Sequence, residues 1–151
     1  MIRSHKKIRY QIFFIKICSL RYVKIFAMIY IVLSTMLLYF IHLALPKILT
    51  FKNHRDFSPI QVRLDKDPNI PSYVGRIHSA TKNLQESLPV FFACAVLSIV
   101  TNVDSTSFGL AWIILRVIYL FLYAYKLNPY RTIAWLGSVV CLILMALNLI
   151  Q

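Results

Sequence analysis

The apolar positions of this chain fall into four long runs separated by polar segments. The first run covers Phe26–Leu45, the second extends from near Leu84 to near Thr101, the third is Phe108–Tyr125, and the fourth is Ile133–Ile150. Each is close to the helix length that crosses a hydrocarbon core about 30 Å thick. Because lipid offers no partner to a free backbone amide, runs of this length are expected to be helices. The pattern predicts an all-α integral membrane protein, a bundle of four transmembrane helices.

The polar segments between the runs differ in length. Residues 46–75 form a long polar stretch with four prolines, and Pro46 is expected to end the first helix. Residues 102–107 and 126–131 are short connections, which predict antiparallel neighbouring helices. The second helix is expected to begin at Pro71–Ser72 and to be longer than its apolar part. Its first turns should therefore stand at or beyond the membrane surface.

Composition supports a membrane protein and argues against other classes. The chain is 59% hydrophobic, which exceeds what a soluble domain of 151 residues could hide, and its net charge is +12. The basic residues lie beside the apolar runs, and no basic–aromatic module for nucleic acid is present. Three cysteines (Cys18, Cys94 and Cys141) and two of the histidines (His42 and His78) lack metal-ligand spacing. We predict neither a metal site nor a nucleic-acid partner.

Lysine and arginine counts predict the orientation. Region 46–82 holds seven of them and loop 126–131 holds two, whereas loop 101–107 and the C-terminus hold none. Basic loops stay in the cytoplasm, so both polar loops should face it and both chain ends should face away.

Residues 1–27 conflict with this orientation, because this basic N-terminal extension holds seven more Lys and Arg residues. It can be an interfacial helix with Ile8, Ile12, Ile15 and Phe26 on its apolar face. It can be a signal sequence, although no small-residue cleavage site follows. Alternatively, translation starts at Met28, which leaves residues 28–151 as the membrane domain. We favour the last explanation because it removes the conflict with the predicted orientation and requires no additional structural element.

A polar face precedes the second apolar run. Arg76, Ser79, Asn83 and Glu86 fall within an arc of about 80° on a helix of 3.6 residues per turn. Such a face can present a cation, an amide and a carboxylate to one ligand, or it can be a solvated surface. Solvation does not explain Glu86, which lies just ahead of the run Leu88–Val100.

Arg116 is a second ionisable residue at membrane depth, in the middle of the third run. Buried charges in a membrane are costly and normally face the bundle interior or a wet cavity. We predict that Glu86 and Arg116 form a structural ion pair, within one subunit or between subunits. Trp112 and Trp135 are predicted to anchor the helices at the membrane interface.

Several of these residues recur at spacings typical of one family. The positions are Arg76, Ala80, Asn83, Glu86, Pro89 and Phe91, then Arg116-x-x-Tyr119-x-x-x-Tyr123 and Arg131-Thr132. Over residues 28–151 they resemble the MAPEG family, the membrane-associated proteins of eicosanoid and glutathione metabolism. With the stretch Asn53-x-Arg55-Asp56, the chain is most similar to the family's small uncharacterised bacterial branch.

The resemblance implies a homotrimer of four-helix subunits, with glutathione bound between subunits at the cytosolic end. By position, Asn83 and Glu86, with Arg76, would hold the peptide part of glutathione. Tyr119 and Tyr123 would line the pocket, although an interfacial aromatic belt explains them equally well. Arg131 would be the catalytic residue, because a nearby guanidinium favours the thiolate, which is the nucleophile.

One position departs from the family. The arginine expected four residues before Asn83 is Ser79. Lys82 can supply a cation there, but it lies about 100° from Asn83 on the helix. It also lacks the planar fork of arginine.

Two functions remain open from the sequence. The first is a membrane glutathione transferase or peroxidase, with glutathione as co-substrate and a lipophilic electrophile as partner. The second is a non-catalytic lipid-binding or scaffold protein of the same fold. A bacterial protein of either kind is expected in the inner membrane.

Overall fold

The computed structural model describes residues 2–53 and 72–150, with side-chain contacts for residues 22–49 and 73–150. Its helices are α1 (Ile2–Asn53), α2 (Ser72–Thr101), α3 (Thr106–Ala124) and α4 (Asn128–Asn148). Each of the four contains a segment long and apolar enough to cross a membrane. The predicted all-α architecture with four spans is therefore confirmed.

The helices alternate in direction. α1 and α3 finish, and α2 and α4 begin, at one end of the bundle, which we call the motif end. At the opposite end, the short loop between α2 and α3 faces the last turn of α4. α2 begins at Ser72 as predicted and has 30 residues, so it is about 45 Å long. Residues 54–71 of the predicted polar stretch, which include Arg55 and Asp56, lie outside the described residues.

Two residues in the left-handed region end α2 and α3. Asn102 has φ 58° and Lys126 has φ 59°. After Asn102, the amide of Val103 donates to the carbonyl of Ser98 at 3.1 Å. After Lys126, the amide of Leu127 donates in the same way to the carbonyl of Leu122, at 3.0 Å. This 6→1 bond is the Schellman ending, and it turns the chain sharply enough for an antiparallel neighbour.

The prediction that Pro46 ends the first helix is wrong, because α1 continues to Asn53. A proline inside a helix has no amide for the carbonyl four residues earlier, here that of His42. The hydroxyl of Thr81 on α2 lies 3.1 Å from this carbonyl and 3.0 Å from its own helix carbonyl at Ile77. Thr81 thus supplies the donor that the proline removes, which is one way membrane helices tolerate proline.

The core is built around an aromatic pair. Trp112 stacks on Phe91 with ring centroids 4.2 Å apart and an interplanar angle of 14°. Both rings are fully buried. The prediction of Trp112 as an interface anchor is therefore wrong, because its ring faces α2 inside the bundle. A second buried cluster, which includes Ile77, Ala80, Tyr119, Leu120 and Ala134, lies toward the motif end.

At the opposite end, the loop between α2 and α3 bonds to both α1 and α4. Lys24 on α1 forms a salt bridge with Asp104 at 3.1 Å. Asn148 at the end of α4 donates to the carbonyl of Asp104 and to the Ser105 hydroxyl, each at 3.1 Å. Lys24 belongs to the basic extension predicted for residues 1–27, and α1 passes through that boundary without a break. The division of the chain at residue 28 stays a prediction.

Candidate functional site

The turn between α3 and α4 places an arginine over a tyrosine. Tyr123 lies in the last turn of α3, and the tight ending at Lys126 brings α4 back beside it. Pro129 stands in the first turn of α4, where its fixed φ suits a helix start. The guanidinium carbon of Arg131 then lies 4.6 Å from the centroid of the Tyr123 ring. This cation–π contact fixes a half-buried positive charge at the motif end.

An open cleft of about 230 Å³ borders this arginine. Its walls come from α2, α3 and α4, and its lining residues are Asn83, Tyr119, Tyr123, Arg131, Thr132 and Trp135. The structure thus brings together four of the residues that the sequence singled out. Whether they bind a ligand stays a prediction. Tyr119 is buried and Tyr123 is half-buried. Their rings therefore do not form a purely lipid-facing aromatic belt.

Thr132 and Trp135 were not expected to line the site. Thr132 follows Arg131 directly, and Trp135 lies one turn further along α4. Residues four apart on a helix share a face, so the position of Arg131 could have indicated the tryptophan. Trp135 is 39% exposed, so its ring contributes to the cleft wall and is also accessible from outside the bundle.

Arg116 orients the asparagine of the cleft. Its Nη1 donates to Oδ1 of Asn83 at 2.6 Å. Arginine is only a donor, so the oxygen of the Asn83 amide must face Arg116. The amide nitrogen, with its two N–H groups, is then the part of Asn83 available to a ligand. Asn83 can therefore donate to a carboxylate or peptide carbonyl in the cleft.

Arg116 is buried beneath the cleft. It is 2% exposed, and its guanidinium carbon lies 5.4 Å from the Trp112 ring centroid and 5.9 Å from that of Tyr119. Its Nε–H and the indole N–H of Trp112 have no hydrogen-bond acceptor among the described residues. A buried cation needs compensation by an opposite charge. Among the described residues, the salt bridge found joins Lys24 to Asp104, so no described carboxylate of the same chain pairs with Arg116.

The predicted ion pair of Glu86 with Arg116 is not formed inside one chain, where the guanidinium bonds to Asn83 instead. The side chain of Glu86 is exposed on the outer surface of α2. A carboxylate at this depth should not face lipid. Pairing with Arg116 across a subunit interface stays a prediction.

Three of the predicted glutathione-binding residues, Arg76, Lys82 and Glu86, do not line this cleft. Lys82 is exposed on α2 and does not line it. Arg76 lines a different cleft between α1, α2 and α3, where its Nε donates to the carbonyl of Ala124 at 3.2 Å. Arg76 and Asn83 share an arc on α2, but they line two different clefts that meet different residues of α3.

Chemically, the cleft offers a fixed cation, an oriented amide donor and aromatic walls. The Arg131 guanidinium can stabilise an anion that is held beside Tyr123. The Asn83 amide, on the facing helix α2, can donate to a second polar group of the same ligand. A molecule with a small anionic centre and a peptide-like body fits this set of groups.

Comparison with known proteins agrees with the fold and the motif. Neither the curated proteins nor the solved structures contain a significant match to the chain. The model of the MAPEG family matches residues 27–151, nearly the whole chain. With four helices able to span a bilayer, this chain is a multi-pass integral membrane protein that belongs to the MAPEG family.

Proposed function

We propose that the protein is a membrane glutathione transferase that conjugates or reduces lipophilic electrophiles. The observation that carries this proposal is the cleft in which Arg131, Tyr123, Tyr119 and Asn83 meet. A thiol is mostly protonated at neutral pH, and a guanidinium beside it favours the thiolate. Arg131, held over Tyr123, is placed to do this for the sulfur of glutathione.

The polar body of glutathione would extend from Arg131 toward α2. There the amide nitrogen of Asn83 faces the cleft, because Arg116 holds its oxygen. The electrophile would enter from the bilayer past Trp135, which lines the cleft and is partly exposed. Arg131 is the catalytic residue of this proposal, and Asn83 binds the co-substrate.

The proposal includes a homotrimer in which the cleft is completed by a neighbouring subunit. Glu86 supports this, because its carboxylate is exposed on a single chain just ahead of an apolar segment. A subunit packed on this face of α2 would bury Glu86 away from lipid. In that position, Glu86 could bind glutathione and also compensate the charge of Arg116. For a bacterial source, the proposed location is the inner membrane.

The test is conjugation of a lipophilic electrophile by the protein reconstituted in lipid. Arg131→Ala should lower kcat on the order of a hundredfold, the loss that follows removal of one electrostatic stabiliser. It should also lower the thiolate absorbance of bound glutathione. Lys126→Gln is the matched control, because it removes a cation from the same turn but not from the cleft. Equal kcat in the wild type and Arg131→Ala would contradict the role of Arg131.

A second function has its own support at Ser79. Its hydroxyl donates to the carbonyl of Gly75 at 3.1 Å, so this side chain is turned to its own helix. No cation stands there to bind a glutathione carboxylate, and Lys82 is outside the cleft. A non-catalytic lipid-binding or scaffold protein of the same fold is therefore the alternative. It predicts retention of lipid and no conjugation.

A further inference from the structure

We propose that Trp135 is the surface on which the electrophile binds, and that it selects an electron-poor aromatic ring over an aliphatic chain. This inference rests on the transferase function proposed above. It adds the class of the second substrate and the residue that selects it. Trp135 lies in the first half of α4 and lines the cleft beside Arg131, the proposed glutathione cleft.

The aromatic rings of the cleft differ in what they already contact. Tyr119 and Tyr123 contact each other, with ring centroids 5.5 Å apart, and Tyr123 also carries the guanidinium of Arg131. Among the described residues, no aromatic ring stacks on Trp135 and no cation lies over it. Its side chain is 39% exposed. The indole is therefore the aromatic surface of the cleft that a ligand can stack on.

The position of this indole suits a second substrate of the same reaction. Trp135 follows Arg131 by four residues, so the two side chains share a face of α4. At 1.5 Å per residue, they lie about 6 Å apart along the helix axis. A ring stacked on the indole is then within reach of a sulfur held at Arg131.

The backbone beneath Trp135 is held in place while its ring stays accessible. The hydroxyl of Ser138 donates to the carbonyl of Trp135 at 2.7 Å, and Ser138 is fully buried. Ala134, the preceding residue, is also buried in the bundle. A tryptophan has few rotatable bonds, so it offers a large contact area at a low cost in conformational entropy. The indole is thus a preorganised surface.

The chemistry of an indole favours one class of electrophile. The face of an aromatic ring is negative, so the electron-rich indole attracts a ring that nitro groups have made electron-poor. A stacked aromatic pair contributes about 0.5–1.5 kcal/mol beyond the area that it buries. An aliphatic chain gains only the burial of its area, which a leucine would also provide. An indole at this position therefore discriminates between the two classes.

The reaction with a halonitroarene is a substitution on the ring. The glutathione thiol first releases its proton to solvent, because the Arg131 guanidinium favours the thiolate. The sulfur then donates its electron pair to the ring carbon that bears the halogen. A carbon–sulfur bond forms, the carbon–halogen bond breaks, and the halide leaves with the bonding pair. The products are the thioether, a halide ion and the proton already released.

The competing role for Trp135 is an anchor at the membrane interface, as the sequence predicted. An anchor holds a helix at a given depth whatever substrate is present. Its loss should change insertion and assembly, or the turnover of every electrophile alike. A selecting residue should change only the turnover of aromatic electrophiles. This contrast separates the two roles.

The first experiment measures conjugation by the full-length protein in lipid, with chlorodinitrobenzene as the aromatic electrophile and nonenal as the aliphatic one. Trp135→Leu should lower kcat/KM for chlorodinitrobenzene about tenfold, which corresponds to about 1.4 kcal/mol. It should leave kcat/KM for nonenal close to the wild-type value, and Trp135→Phe should retain most of the preference for the arene. Tyr130→Leu is the matched control, because Tyr130 is an exposed aromatic residue of α4 that does not line the cleft.

The second experiment needs no turnover and no glutathione. It titrates meta-dinitrobenzene, which has no leaving group, into the protein and follows tryptophan fluorescence, which nitroarenes quench. The chain has two tryptophans, and Trp112 is fully buried, so the exposed Trp135 reports on the cleft. Binding at a site should give saturable quenching. Quenching that rises without saturation would mean that the arene only partitions into the lipid.

Three results would overturn the proposal. They are quenching that does not saturate, equal losses for both electrophiles in Trp135→Leu, and an equal loss for chlorodinitrobenzene in Tyr130→Leu. A wild type that conjugates neither electrophile would refute the transferase function instead. Saturable quenching in that case would still support Trp135 as the surface that binds an electron-poor ring.

Discussion

The hydrogen bond from Arg116 to Asn83, at 2.6 Å, decides which face of the asparagine amide the glutathione cleft presents. Arg116 is buried and donates only, so Oδ1 of Asn83 is committed to it. The amide N–H groups are left to face the cleft. A residue beneath the site thus sets the polarity of a residue that lines it.

Substituting Asn83 should separate folding from binding. Asn83→Asp keeps an acceptor for Arg116 but removes the N–H donors, so it should melt no lower than the wild type and lose affinity for glutathione. Asn83→Leu leaves Arg116 without that acceptor and should destabilise the protein by about 1.5–3 kcal/mol, the value of a hydrogen bond to a charged group. Melting in detergent and calorimetric titration give the two quantities. Full glutathione affinity in Asn83→Asp would show that the amide donors are not used.

Glu86 and Arg116 should be coupled only in the assembled oligomer. Within one chain, Arg116 bonds to Asn83 and Glu86 is exposed, so any pairing must cross between subunits. A double-mutant cycle of Glu86→Gln and Arg116→Met on the oligomer should give a coupling of about 0.5–3 kcal/mol. The control cycle pairs Lys82→Gln with Arg116→Met and should be additive. Additivity in both cycles would mean that Glu86 does not compensate Arg116.

The Thr81 hydroxyl should stabilise the fold because Pro46 offers no amide to the His42 carbonyl. Thr81→Val leaves the His42 carbonyl without a donor and should cost about 1–3 kcal/mol. Pro46→Ala restores the missing amide, so Thr81→Val should cost clearly less in that background. Thr35→Val is the matched control, since the buried Thr35 hydroxyl bonds only within its own helix. The same cost for Thr81→Val with and without Pro46 would show that the threonine does not serve that carbonyl.

The interactions of Asp104 in the loop between α2 and α3 should make the protein less stable at acid pH. Hydrogen bonds from Thr106 and the nearby ammonium of Lys24 hold the pKa of Asp104 below its ordinary value of 3.8. A lowered pKa in the folded state gives stability that is complete above the unfolded value and is lost as the pH falls through the folded value. The melting-temperature difference between the wild type and Asp104→Asn should therefore persist from pH 7 to about pH 5, begin to shrink near about pH 4, and disappear only once the pH falls below the lowered pKa of the folded state. A difference that is unchanged at low pH would show that the Asp104 carboxylate is not the source.

Much of the fold could be predicted from the sequence, because an apolar run of membrane-spanning length can form few structures in a bilayer. The start of α2 at Ser72 could also be predicted from Pro71–Ser72. The continuation of α1 through Pro46 could not, because it depends on Thr81, 35 residues away in the sequence. The burial of Trp112 was missed for a similar reason, since its partner Phe91 lies on another helix.

The candidate site was predictable in part. Asn83, Tyr119, Tyr123 and Arg131 were expected from spacing and from the family resemblance, and they line one cleft. Arg76 was expected in the same place, because helical spacing gives the face of α2 but not the position of α3 against it. The bond of Arg116 to Asn83, rather than to Glu86 of the same chain, was equally beyond a pattern of spacings. It depends on how α3 is seated against α2.

Calorimetric titration of glutathione into the purified wild-type protein in detergent tests whether the cleft beside Arg131 binds glutathione. We expect saturable binding at millimolar concentration or below. We also expect Asn83→Ala to weaken this binding more than Arg131→Ala does, because Asn83 would hold the body of the ligand and Arg131 its thiolate. Absence of binding at millimolar glutathione would contradict the proposed glutathione site, and the non-catalytic lipid-binding function would then take its place.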